Sequence, residues 1–235
     1  MFQSNEFSSS KPGDRYADQL RRGFRNLRFE RTIESEYRRK LIETERSPAT
    51  ICTAVGPIFL CAFALLDFHR LSILGAWGNF DAQIWLWLGA RWSALALLAV
   101  GAVVIRKRRG DYTRLSWTMY TAMGTAIAVT AVVVHNKGLF AADSAQIVVV
   151  MAAFLPLGLT FRRALAAALV VALVSAIALL VFDTRHELEH RAQIVAMLLM
   201  AVPVAAMGGY LREHSQRRQF LLNAILDRQA QTDPL

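Results

Sequence analysis

The sequence predicts an all-α fold: a polytopic membrane protein with six transmembrane helices, an amphipathic helix before them and a stalk helix after them. Three observations predict it. The 235 residues are 54% hydrophobic, with a mean hydropathy of +0.32, yet their formal net charge is +9. Apolar and basic residues must therefore occupy different segments. The apolar residues fall in six runs near the ~20 residues that a spanning helix needs. Within these runs, as in ALAAALVVALVSAIALLVF at 164–182, no polar stripe recurs at the 3.6-residue period of a soluble amphipathic helix.

The runs are Thr50 to Phe68, Gln83 to Ile105, Leu115 to Val134, Ala145 to Phe161, Ala164 to Phe182 and Ala192 to Leu211. Lysine and arginine orient them. Eleven precede the first run, five lie between Arg106 and Arg114, and Arg162 and Arg163 follow the fourth. Arg212, Arg217, Arg218 and Arg228 follow the sixth, whereas the alternate loops hold only Arg70, Lys137, Arg185 and Arg191. The bias places both termini in the cytoplasm. The first apolar run starts too far from the N-terminus for a secretory leader and is expected to act as an uncleaved anchor.

The segments outside the 49–211 membrane region are polar. Residues 1–13 have the composition of a disordered tail. Residues 14–48 predict a basic amphipathic helix, with Tyr16, Leu20, Phe24 and Leu27, then Ile33, Tyr37 and Leu41, three or four apart. Its apolar stripe suits either an anionic membrane surface or a second subunit. Acidic residues interrupt the basic face, which argues against nucleic acid. Residues 212–235 predict a helix continuing out of the sixth run. Leu211, Leu222 and Ile225 fall near heptad spacing, as in a short dimeric signalling stalk.

Polar groups at membrane depth are costly and therefore candidates for function. Arg91 lies ~13 Å into the second run, where it either binds an anion, pairs with Asp67 or snorkels toward an interface marked by Trp85 and Trp87. Four of the five histidines fall on the expected outer side: His69, His135, His186 and His190. Asp67, Asp81, Asp143, Asp183, Glu187 and Glu189 accompany them. His186 and His190 are four apart, a spacing that chelates a transition metal on a helix. His69 and His135 form a candidate axial pair for haem. The same cluster suits a proton sensor or a polar rim without a ligand. Pro57, Pro156 and Pro203 lie inside spans, and Gly208-Gly209 lies where the sixth meets the stalk, so these are hinge candidates. Five tryptophans suggest an interfacial belt. Cys52 and Cys61, nine helical residues or ~13 Å apart, are too distant to bridge and serve as small apolar residues.

The last residues, Leu226-Asp227-Arg228-Gln229-Ala230-Gln231-Thr232-Asp233-Pro234-Leu235, resemble the entry into a GGDEF diguanylate cyclase domain. Such a domain opens with a helix followed by a T-D-x-L-T-G-L-x-N-R stretch, and this chain reaches four residues into it. The layout is similar to the six-span N-terminal sensors of bacterial diguanylate cyclases, with an arginine-rich helix before the first span. The resemblance implies a bacterial inner-membrane sensor that controls cyclic-di-GMP synthesis from two GTP through the geometry of a homodimer. GTP and Mg would bind only in an output domain beyond this chain, because no GGDEF signature or catalytic residue lies within it. An adenylate-type cyclase or a histidine kinase, with His214 in the stalk, are alternative outputs. A stand-alone small membrane transporter or membrane binding protein, or a scaffold that dimerises through its basic arm, are the alternatives without an output domain.

Overall fold

The computed structural model describes residues 14–107, 111–139 and 143–232, with backbone only at 14, 25, 143, 144, 231 and 232. The expected tail at 1–13 and Asp233, Pro234 and Leu235 lie outside them, as does the side chain of Asp143. The described residues form eight α-helices: α1 Asp14–Arg22, α2 Arg31–Thr44, α3 Arg46–Ile73, α4 Ala82–Lys107, α5 Thr113–Asn136, α6 Asp143–Ala152, α7 Phe161–Phe182 and α8 Leu188–Thr232. A short 3-10 turn, Arg25–Leu27, precedes α2, and no strand occurs among these residues. Two compact units result. One comprises 1–41 with 210–235, and the other comprises 42–209.

The larger unit carries the membrane character. Helices α3, α4, α5, α7 and α8 are each long and apolar enough to cross a bilayer, which makes this a multi-pass membrane protein. Their outward faces are apolar, with Ile58, Phe59, Leu65, Val100, Leu173 and Val204 among the exposed residues. Such exposure suits lipid, not water.

Antiparallel packing joins α3 to α4, where Gly56 meets Leu98 at one end and Asp67 meets Arg91 at the other. Helices α4 and α5 are also antiparallel, with Gly101 against Met119 and Trp87 clustered with Val133 and Val134. Helices α5 and α7 instead run parallel. Arg163 donates to the Thr113 hydroxyl where both begin, and Asn136 donates to the Phe182 carbonyl, 2.9 Å away, where both end. Between these points Gly124 lies against Val171, where any Cβ would collide with the valine. Ala164, Ala167, Ala168 and Ala172 carry the close approach along α7.

Parallel α5 and α7 oblige the chain between them to travel the full height of the unit. The expected fourth span, Ala145 to Phe161, does this without being one helix. Helix α6 covers ten residues, or ~15 Å, and bent backbone follows at 153–160. Pro156 is thus a residue of this irregular stretch and not a kink within a spanning helix. Pro156 has no N–H to continue the ladder, and Gly158 has φ +71°, close against the Tyr112 ring. Breaking a helix in an apolar setting frees carbonyls that need donors. Tyr120 supplies one: its hydroxyl donates to the Val149 carbonyl at 2.6 Å. Tyr120→Phe should therefore cost about 1–3 kcal/mol, read as a lowered unfolding midpoint in detergent. An unchanged midpoint would show that the carbonyl is satisfied otherwise.

Carboxylates accept backbone amides at two helix starts. The Asp81 carboxylate accepts from the Ile84 amide at 2.9 Å, and Asp111 accepts from the Thr113 amide at 2.8 Å. Asp81 also pairs with Lys137, tying the α3–α4 loop to the end of α5.

The smaller unit contains α1, most of α2 and the last part of α8. The stripe expected to meet a bilayer or a second subunit is covered within the chain. Phe29, Ile33, Tyr37 and Leu221 are buried together, with Tyr16, Leu20, Phe24 and Phe220 around them. Arg217, 2% exposed, lies in this cluster. It donates to Glu34 from Nη1 at 2.7 Å and Nη2 at 3.2 Å, and to Glu213 from Nε at 2.8 Å. Its guanidinium also covers the Tyr37 ring at 4.4 Å and the Phe29 ring at 4.9 Å.

Candidate functional site

The chemistry-bearing residues of the larger unit gather in two places. The first is where α5 and α7 end. Helix α5 delivers His135 in its last turn, and the residues after α7 deliver Asp183 and His186. Asn136 holds these strands of chain together, accepting from the Thr184 amide at 2.9 Å. His135 is 3% exposed and Asp183 fully buried. Asp183 Oδ2 lies 3.0 Å from His186 Nδ1 and 3.4 Å from His135 Nδ1. One donor atom from each of the three residues lies within 4.8 Å of the others.

The remaining oxygen orients the carboxylate. Asp183 Oδ1 accepts from the Arg185 amide at 3.1 Å and the His186 amide at 3.3 Å. Burial pushes the Asp183 carboxyl up, but the His186 ring and these two amides outweigh it and hold the pKa below the ordinary value. The group is thus an anion facing two imidazoles. Arg191 donates to the Asp183 and Leu180 carbonyls, at 2.8 and 3.0 Å, and closes the end of α7.

The two Asp183 separations match the spacing of metal ligands. Ligands ~2.0–2.1 Å from a zinc ion stand roughly 3.0–3.4 Å apart, the distances Asp183 already keeps to both rings. Two histidines and a carboxylate are a donor set for zinc and other first-row ions. The His186 side chain is 31% exposed, which leaves the site open on one flank.

His186 and His190 do not share a helix face as their spacing predicted. His186 precedes α8, and His190 lies in its first turn. Their rings are still neighbours, with centroids 4.9 Å apart, and His135 stands 4.9 Å from His186 on another side. His69 is exposed on α3, while His135 is enclosed with Asp183 and His186. Glu187 and Glu189 are exposed beside the cluster. Asp183 was legible only as one acid among six, because its turn geometry has no sequence signature.

The second place lies between α3 and α4. Arg91 Nε is 2.5 Å from Asp67 Oδ2, and Arg70 Nη1 is 3.3 Å from Asp67 Oδ1. Asp67 and Arg91 are 2% and 8% exposed, so Arg91 does not snorkel outward. The indole of Trp87 lies against the same carboxylate and is fully buried. Trp87 is therefore a core residue, whereas Trp77, Trp85 and Trp92 are exposed, as a lipid belt requires.

The hinge candidates are distributed as follows. Helix α3 runs through Pro57 and α8 runs through Pro203. Helix α8 also continues through Gly208 and Gly209, and Gly209 gives the Phe154 ring its close approach. In the stalk, Leu211 and Leu222 are exposed and Ile225 is half-buried. His214 is stacked on the Tyr210 ring and meets the tilted Phe24 ring, with centroids 6.2 and 4.7 Å away. No protein-family model matches the chain, and comparison with curated proteins returns no match.

Proposed function

We propose that the chain is the membrane-embedded input part of a signalling protein. Its signal is a first-row transition metal ion, with Zn²⁺ as the test case, held by His135, Asp183 and His186. The observation that carries this reading is the convergence of three buried or half-buried donors within 4.8 Å of one another, just ahead of α8. A metal would take the place of ring protons between these groups, with His190 or water completing the shell. The α5 end, the α7 end and the start of α8 would then be fixed to one point. Helix α8, 45 residues long, is the element suited to carry the change.

The wider reading follows from charge bias and from the tail. The Lys and Arg distribution supports both termini cytoplasmic and the metal site outside, and the resemblance at the tail supports a bacterial inner membrane with six crossings. In this reading the α6 segment with 153–160 makes the fourth crossing. The resemblance at residues 226–235 supports a homodimeric diguanylate cyclase as the parent, its output domain following the stalk.

Zinc binding to the full chain in detergent, followed by calorimetry and metal analysis, tests the input. Wild type should bind one ion per chain. Asp183→Asn and His186→Ala should each weaken binding at least about 10-fold, with a smaller loss for His190→Ala. Affinity should fall on acidification, because the imidazoles must shed protons to bind. Equal binding by Asp183→Asn would end the metal reading. GTP turnover by the native full-length protein, with and without Zn²⁺, tests the output.

A second reading is a small transporter, and the broken passage at α6 favours it. Interrupted helices at membrane depth line substrate paths in transporters. Zn²⁺ accumulation in proteoliposomes that depends on Asp183 would establish this reading over the sensor.

A further inference from the structure

A long cavity lies along α3, α4, α5 and α6. We propose that it is a binding site for a single-chain anionic lipid, such as a long-chain fatty acid, with Arg91 receiving the acid group. This inference is independent of the metal site.

Shape comes first. The cavity has a volume of about 430 Å³ and is lined from Cys52 and Ser116 at one end to Arg70 and Arg91 at the other. Cys52 and Arg70 are eighteen residues apart on α3, or ~27 Å along its axis. That length is enough to lay one long acyl chain along the cavity. Its walls are almost wholly apolar. Val55 and Phe59 on α3 and Val148 on α6 line it and are also exposed, so it opens sideways, where the bilayer would supply the ligand.

Charge comes second. An accidental gap between membrane helices would be apolar throughout, yet this one ends on two guanidiniums. Arg91 turns Nε to Asp67 and its guanidinium lies 5.7 Å from the Phe63 ring centroid, while its terminal nitrogens make no hydrogen bond or ion pair among the described residues. Arg70 lines the same end and shares the one carboxylate. A second anion placed there would meet Arg91 in a water-poor setting, where charge-assisted hydrogen bonds are strongest. The ligand must then carry its charge at one end and a chain long enough to fill the rest. A neutral lipid would leave Arg91 as it stands and gain only dispersion contacts.

The test uses the full chain in detergent and a fluorescent C18 fatty acid, displaced by oleate, methyl oleate or a diacyl phosphatidylglycerol. Oleate should displace it at least 10-fold better than methyl oleate, which has the same chain and no charge. Phosphatidylglycerol, with two chains and a headgroup larger than a carboxylate, should compete poorly. Arg91→Gln should erase the preference for the acid. Ala152→Phe, which fills the cavity and leaves both arginines, should reduce binding of acid and ester alike. Equal displacement by oleate and methyl oleate from the wild-type protein would overturn the proposal, as would undiminished binding to Ala152→Phe. Preference for phosphatidylglycerol would overturn it in favour of an ordinary bilayer lipid.

Discussion

Arg217→Ala should unfold the smaller unit while leaving the larger one intact. Removing one partner of a buried ion pair costs about 3–5 kcal/mol, because the other partner stays buried without compensation. Here Glu34 would keep the Phe29 amide and Arg38 but lose both bonds to Arg217, Glu213 would lose its own, and the guanidinium's cover over Phe29 and Tyr37 would go with them. Hydrogen exchange across 29–41 should become fast, with α5 and α7 still protected. Arg217→Met together with Glu34→Gln and Glu213→Gln should recover much of the loss, since no charge would then be buried alone. Slow exchange across 29–41 in Arg217→Ala would show that the aromatic cluster suffices.

The same pair predicts acid behaviour. Burial pushes Glu34 up, but the Arg217 hydrogen bond, the Phe29 amide and Arg38 outweigh it and bring the pKa to about 2. A depressed carboxylate stabilises the folded state at every pH above its unfolded value of ~4.3. That contribution is lost as pH falls from there through about 2. Between pH 7 and 5 the Glu34 contribution should be flat. Glu34→Gln should remove the acid-dependent part, which acid titration of exchange protection would measure.

Asp67→Ala should have a comparable effect in the larger unit. It would leave Arg91 and Arg70 with no carboxylate between them, at a depth where charges are costly. A loss of about 3–5 kcal/mol is expected, read as a lower midpoint of thermal aggregation in detergent. Asp67→Ala combined with Arg91→Leu should melt above Asp67→Ala alone, because the stranded charge is gone. If the double variant is the less stable of the two, Arg91 earns its place through contacts other than Asp67.

Composition revealed the apolar helices because spanning segments differ from soluble ones in every turn. It did not reveal the break after Ala152, because hydropathy averages residues and ignores backbone. Leu155-Pro156-Leu157-Gly158-Leu159 is as apolar as a helix, and only Pro156 and Gly158 mark the bend. The grouping of His135 with His186 was equally hidden, since parallel packing of α5 and α7 brings their ends together and spacing along the chain does not encode it. Glu34 and Arg217, 183 residues apart, posed the same difficulty: the stripe on α2 was legible, but not the helix that covers it. Trp87 resembled its exposed neighbours until α3 and α5 enclosed it.

The short α6 has a consequence for biosynthesis. A ten-residue helix followed by bent backbone is a poor signal for the insertion machinery, which selects segments near twenty residues. Helix α7 is the most apolar of the long helices described. If the α6 segment makes the proposed fourth crossing, residues 143–160 would enter the bilayer only once α7 has emerged from the ribosome, and the two would insert as a pair. Chains arrested before residue 161 would hold α6 at the surface, so the order of synthesis itself becomes part of how this protein reaches its fold.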